Sequence, residues 1–370
     1  MIMMVSEFRL LVFQYATPMP GLTRRKFREV AFVRTQKPKL RLPIVVVAMS
    51  VAVTAPSASF ADEGGVSFWY PGTYGSLAAE RQEPGWSLSI IDYHATVSAE
   101  GFTGGPPAMG NGNYNEHTDQ VMFGPTYVFA TPFLGAQVSV GMSSLYGRDS
   151  VSLTGLTGAG AIPESFAPAD NISESATGFG DLFPLFALRW NQGVNNFMTY
   201  VTGDIPIGLY NPLRLAYLGL GHGAIDAGGA YTYYNSKTGQ EFSGTLGLTY
   251  NFVNPSTQYQ SGVDMHFDWG ASHFLTEQLH IGLVGYVYKQ LGCDSGSGDH
   301  VGCFQSQVVG IGPQIGFTFP VGSMNGYLNL RAYKEFAADN RPDGWNTWIS
   351  FELSPAAPAS SPPTKPVTAK

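Results

Sequence analysis

The chain has 370 residues, 44% of them hydrophobic and 13% charged, with 45 glycines, 19 tyrosines and 24 phenylalanines. Soluble domains carry about 25% charged residues, and a disordered chain needs low hydrophobicity with high net charge, so disorder is excluded. A net charge of −7 and only two cysteines also argue against a basic nucleic-acid binder, and they exclude a multi-disulfide scaffold and a four-cysteine zinc site.

The first predicted element is a leader. The apolar run from Leu42 to Ala58 follows Arg34, Lys37, Lys39 and Arg41 and precedes Ser59, Phe60 and Ala61. A basic region, a short apolar core and small residues before the cut predict a secretory signal peptide over residues 1–61, cleaved after Ala61. Pro43, Thr54 and Pro56 leave the run below the roughly 20 apolar residues of a spanning helix. Residues 1–33 exceed an ordinary basic region, which a start codon placed too far upstream would explain. The leader holds nine Lys or Arg and two Glu, so its removal takes the net charge from −7 to −14. Residues 62–85 come next. The glycine-containing stretch from Asp62 to Pro84 has two readings, a segment folded back to plug the lumen or a periplasmic lead-in.

From residue 86 to residue 353 apolar and polar side chains alternate in stretches of about ten, the period of a sheet with two unlike faces. Between Glu241 and Phe252, the side chains of Phe242, Leu246, Leu248, Tyr250 and Phe252 oppose Glu241, Ser243, Thr245, Thr249 and Asn251. Residues 305–319 repeat the pattern, and so do 259–269, with Met265, Phe267 and Trp269 on one face and Asp264, His266 and Asp268 on the other. A soluble sandwich would place Lys and Glu on its polar face. Here that face holds mainly Gly, Ser, Thr, Asn and Gln, as a wall between lipid and a narrow wet lumen requires. The expected fold is therefore all-β, a transmembrane antiparallel up-and-down barrel of about twelve strands.

In chain order the strands are expected at about 86–98, 120–130, 135–146, 179–191, 196–205, 224–234, 240–252, 258–270, 278–291, 304–319, 325–337 and 344–353. Their connections alternate long and short, as outer loops and periplasmic turns do. The exceptions are the short outer links 253–257 and 338–343, and Leu213 to Leu220 could supply a further strand. Trp190, Trp269, Trp345, Trp348 and Phe351 near strand ends are expected in interfacial girdles. Gly147 to Thr177, rich in Gly, Ala and Ser, reads as a mobile surface loop. The tail, 354–370, holds five prolines and reads as a disordered periplasmic extension. It departs from the terminal aromatic residue that the barrel-insertion machinery recognises, since Phe351 to Leu353 ends the last strand before it.

Cys293 and Cys303 bracket a short loop on the oxidising side and are expected to form a disulfide worth roughly 3 kcal/mol. A metal site using Asp294, Asp299 or His300 has no standard calcium spacing to support it. His266 lies between Asp264 and Asp268, but these three share one face about 7 Å apart, and Ser261 and Ser272 sit in no nucleophile elbow. No phosphate loop or zinc motif is present, so no cofactor, metal or catalytic residue is assigned. The candidates for the lumen lining are Asp181, Arg189, Asp204, Glu241, Asp264, His266, Asp268, Arg331 and Glu335. In this reading Arg189 and Arg331 either neutralise the acids and brace the wall or take part in selectivity.

Gly178-Phe-Gly-Asp181, Pro206-Ile-Gly-Leu-Tyr210, Tyr259-Gln-Ser-Gly-Val-Asp-Met-His266, Gly285-Tyr-Val-Tyr-Lys-Gln290, Gly310-Ile-Gly-Pro313, Glu335-Phe336 and Asn340-Arg341 occur in this order. Together they resemble the outer-membrane family named after the meta-cleavage pathway of phenol degradation, over roughly Gly64 to Leu353. The resemblance implies a transporter-like barrel in the bacterial outer membrane, in contact with its lipid, that admits small hydrophobic or aromatic solutes. The expected function is passive uptake by a channel, not catalysis. The competing readings are a lipid hydrolase or acyltransferase using His266 or His280, and an adhesin working through residues 147–177.

Overall fold

The computed structural model describes residues 67–103, 111–157, 171–299, 302–303 and 305–357. The expected leader, residues 62–66, His300 and residues 358–370 of the tail lie outside these. Twelve strands follow one another: β1 (Gly85–Thr103), β2 (Asn111–Val128), β3 (Gln137–Thr157), β4 (Asn171–Gln192), β5 (Asn195–Asp204), β6 (Ala224–Asn235), β7 (Gln240–Asn251), β8 (Asp264–Phe274), β9 (Leu279–Gln290), β10 (Gln307–Val321), β11 (Met324–Asp339) and β12 (Asp343–Pro355). Each pairs antiparallel with the next, and β12 returns to β1 through eleven facing pairs from Leu88↔Leu353 to Ser98↔Asp343. Closure leaves the membrane-depth ladder without an edge, so few backbone amides or carbonyls there need water.

The side-chain distribution is the reverse of a soluble domain. On β7, Leu246, Leu248 and Phe252 just beyond it are 53%, 50% and 50% exposed, while Ser243, Thr245 and Thr249 on the alternate positions are buried. β8 and β9 follow suit, with Leu283 exposed and His266, Asp268 and His280 enclosed. Such an outer belt is stable only against hydrocarbon, and the polar faces then turn toward the barrel axis.

Aromatic pairs mark both rims of this belt. Trp86 packs on Tyr127 and Phe197 on Tyr231 near one rim, and Tyr146 on Phe179 and Tyr250 on Phe252 near the other. Trp345 faces outward, as the girdle expectation had it. Trp348 does not: it is 1% exposed and packs inside against Tyr93. The two tryptophans are three positions apart, and on a strand an odd spacing puts them on opposite faces.

Connections at the end where β1 begins and β12 ends are short. Gly193-Val194 and Gly322-Ser323 turn the chain in two residues, with Gly193 and Gly322 at φ 70° and 61°. Such turns need the left-handed backbone that glycine adopts without penalty. The opposite end carries the longer connections, including 205–223, 252–263 and 291–306.

Several boundaries differ from the sequence expectation. β1 to β4 run for 19, 18, 21 and 22 residues, about twice the 9–11 that cross a bilayer. Hence residues 148–157 and 171–177, read as mobile loop, form paired strands, from Thr154↔Asn171 to Arg148↔Thr177. Their polar outward faces hid the alternation, because above the belt nothing requires an apolar outer side. β8 starts at Asp264 instead of 258. The strand ladder stops there because Val263 accepts from the amides of Leu291 and Gly292, and Asp294 takes the amide of Gly262. Residues 213–220 form no strand, and Ser354 and Pro355, assigned to the tail, continue β12 to pair with Asn325 and Met324.

An arginine in the middle of the outer belt tests this orientation. Leu246→Arg, facing outward between Gly229 and Phe267, should lower folding stability in lipid vesicles by about 2–4 kcal/mol in urea titrations. An unchanged midpoint would contradict the lipid-facing assignment.

Candidate functional site

Residues 67–82 precede β1 and run through the barrel interior, held by side chains from strands on all sides. Asp268 of β8 accepts three hydrogen bonds from this segment: Trp69 Nε1 at 3.3 Å, Gly72 N at 2.9 Å and Tyr74 N at 3.1 Å. Arg331 of β11 grips the same turn from its carbonyl side, donating from Nη1 to Gly72 O at 2.7 Å and Thr73 O at 3.3 Å. A carboxylate on the amides and a guanidinium on the carbonyls satisfy a turn that has no strand to pair with. The guanidinium also lies over the Trp348 ring, 5.1 Å from its centroid.

The turn requires glycine at position 72. Its φ is +90°, and a Cβ there would come within 3.1 Å of the Tyr333 ring. Further along, Ser76, Ser272 of β8 and Gln314 of β10 form a hydroxyl–hydroxyl–amide group, with Ser76 Oγ 2.8 Å from Ser272 Oγ and Gln314 Nε2 donating to both. Gly270 lets the segment approach this closely, since a Cβ there would stand 2.6 Å from Ser76 N. Glu241 of β7 accepts from Leu77 N at 3.0 Å, and Leu77 holds a left-handed φ of 66°. Thr232 of β6 takes Ala79 N, Asn196 of β5 donates to Glu80, and Gln137 of β3 pairs twice with the backbone of Gln82. Burial pushes the Glu80 carboxyl above its ordinary range, with nearby Glu241 adding to the shift and the Arg81 amide opposing it.

The remaining predicted residues are spread around this segment. His266 is stacked under Trp69, ring centroids 3.6 Å apart, and its Nε2 lies 3.0 Å from Asp226 and 3.4 Å from the Tyr200 hydroxyl. Its Asp264 neighbour bonds to Asn251 instead. Asp181 caps the connection after β5, accepting Gly208 N at 2.6 Å and Leu220 N at 2.7 Å, with Asp204 beside it. Glu335 accepts from Tyr286 and from Gly344 N, and Arg189 donates to Ser139. Arg214 pairs with Glu174, and the imidazoles of His94 and His266 lie against Asp119 and Asp226. Neither Arg189 nor Arg331 is in direct contact with a carboxylate among the described residues. Arg331 uses its charge on backbone carbonyls.

His266 meets Asp226 and Tyr200, and His280 meets Tyr327; among the described residues no serine is hydrogen-bonded to either ring. Ser272 is engaged by Ser76 and Gln314. Cys293 and Cys303 are bonded to each other. Asp294 accepts from Tyr259 and Gly262 N of connection 252–263 and so ties two outer connections together, and Asp299 accepts from Gly302 N of its own.

Two cavities flank the interior segment. The outer one, about 120 Å³, has Phe68 to Pro71 as part of its wall, with Tyr93, Tyr114, Phe183 and Tyr217 around it. The inner one, about 270 Å³, lies at the other end of the segment beside Ala79, Arg81, Gln137 and Arg189. Sequence reasoning missed Asp226, Glu116, Asp149 and the aromatic residues of 68–74. Parity from Ile225 would have placed Asp226 inward, but nothing local marks its pairing with a histidine forty residues away.

The position of the segment can be checked by cross-linking. Ser76→Cys with Ser272→Cys should form a second disulfide without added oxidant, seen as a reductant-sensitive shift in electrophoretic mobility. Two free thiols accessible to a maleimide would contradict the contact.

Comparison with known proteins adds to this geometry. No curated protein matches the chain significantly. Among solved structures, an outer membrane channel from Pseudomonas putida F1 is similar at a TM-score of 0.58 and 12% identity, covering 75% of this chain and 98% of that one. That likeness supports the barrel fold. A FadL homologue from Pseudomonas aeruginosa aligns at 9% identity over 82% of this chain and 98% of its own, with a TM-score of 0.36 that carries no argument. The family profile described as "Putative MetA-pathway of phenol degradation" matches residues 100–351, from within β1 to within β12, and the chain belongs to that family.

Proposed function

We propose that this barrel is a passive channel of the bacterial outer membrane for small hydrophobic solutes that carry one aromatic ring, and that it acts without catalysis. The observation carrying this reading is the outer cavity. Its volume of about 120 Å³ is near the roughly 150 Å³ that accommodates benzene in an engineered protein core. Rings from Tyr70, Tyr93, Tyr114 and Phe183 line it, and such walls receive a flat apolar solute edge-on or stacked. The family's name points to phenol breakdown, which agrees with a ring-shaped cargo.

Passage requires the interior segment to yield, because residues 69–79 lie between the two cavities. The segment is joined to the wall by hydrogen bonds, which water can replace when it moves, and by the packing of Phe68, Trp69 and Ala79 against Ala187, Met198 and Tyr200, which must part as well. The outer apolar belt would be solvated by membrane lipid, and assembly would depend on barrel-insertion machinery. Neither partner supplies energy, so the flux follows the solute gradient.

Planar-bilayer recordings with phenol or toluene on one side provide the test. Asp268→Ala removes three hydrogen bonds to the segment, each worth about 1.5–3 kcal/mol for a charged acceptor, and should raise the frequency of opening at least about tenfold. Absence of opening in both proteins, with no protein-dependent flux of either solute, would refute the channel.

A further inference from the structure

We infer that the outer cavity sorts ring-bearing solutes by charge, accepting neutral hydrogen-bond donors and organic cations and rejecting aromatic anions. The inference rests on the channel reading and specifies its substrate class. The walls of the cavity carry four carboxylates, Glu116 of β2, Asp149 of β3, Asp181 of β4 and Glu335 of β11, against a single guanidinium, Arg341. Three of them stand on neighbouring strands, β2, β3 and β4, with Glu116 and Asp149 side by side, and the fourth is on β11.

These acids are fixed in place. Glu116 accepts from the Tyr114 hydroxyl at 2.7 Å, and Thr118 bridges Glu116 and Asp149. Asp181 is held by two backbone amides, and Glu335 by Tyr286 and an amide. Arg341 is turned toward the Tyr288 ring, 5.1 Å from its centroid. A solute in the cavity therefore meets acceptors from β2–β4 and from β11, with the ring faces of Tyr93, Tyr114 and Phe183 beside them. A phenolic hydroxyl or an ammonium can donate to such a wall, and a cation gains further from the π-faces. A carboxylate on the same ring can only accept, and it meets those wall acids that stay ionised at short range with little water to screen them.

The test compares uptake of phenol, benzylammonium and benzoate into vesicles holding the full-length protein at neutral pH, with protein-free vesicles subtracted. Phenol and benzylammonium should enter at least about tenfold faster than benzoate. Glu116→Gln with Asp149→Asn should bring benzoate within about threefold of phenol. Glu116→Gln alone, a milder change at a half-buried site, should move the ratio the same way, and Arg341→Gln should move it the other way. Heat-dependent gel mobility verifies that each variant is folded. Equal entry of benzoate and phenol in the unaltered protein, or a ratio that stays fixed in the folded variants, would overturn the charge selection and leave the channel standing. Entry of none of the three would overturn the channel reading and this inference with it.

Discussion

A backbone amide placed in hydrocarbon without a partner is penalised by several kcal/mol, and twelve strands can avoid this in lipid only by closing on themselves. Once the ladder is closed, side-chain parity assigns every residue to one of two environments. Leu246 and Leu248 go to lipid, and Ser243 and Thr245 go to the axis. The buried apolar side chains form three separate clusters, one around Val151, Leu153 and Ile172, one around Phe68, Trp69 and Met198, and one around Val284, Tyr286 and Trp348. Between them the interior is filled by glycines and by polar groups bonded to one another.

That polar interior is what allows residues 67–82 to be bound. A greasy lumen would offer the segment's amides and carbonyls nothing, whereas Asp268, Arg331, Glu241 and Thr232 supply an acceptor or donor at successive positions. Glycines matter on both sides of the contact. Gly72 makes the turn, and Gly270 leaves the wall flat where Ser76 rests. The segment is held by groups spread over at least six strands, so no single one carries all of its stability. Asp268 takes the largest share.

The membrane-depth part of the fold was legible in the sequence because lipid imposes a strict period of two there. The ends of β5, β6, β7, β9 and β12 fall within three residues of the expected ones. The upper halves of β2, β3 and β4 were not legible, since a segment such as Arg148 to Thr154 stands above the belt with polar residues on its outer face. Parity marked each of the nine charged candidates as inward-facing, yet it could not say what they touch. Arg331 meets a turn some 259 residues earlier in the chain, and His266 meets Asp226 and a tryptophan ahead of the first strand. Such long-range partners leave no local signature. Trp348 shows the reverse case, in which parity was sufficient and proximity to Trp345 misled.

The central claim is that alternate side chains of each strand face lipid and an enclosed polar interior. Nitroxide labels placed singly at positions 244 to 250 of β7, in the protein reconstituted into bilayers, test it most directly. Power saturation should show oxygen accessibility high at Leu246, Leu248 and Tyr250 and low at Thr245, Gly247 and Thr249, a period of two. Uniform accessibility along the strand, or collision of the Leu246 and Leu248 labels with a water-soluble nickel reagent, would contradict it.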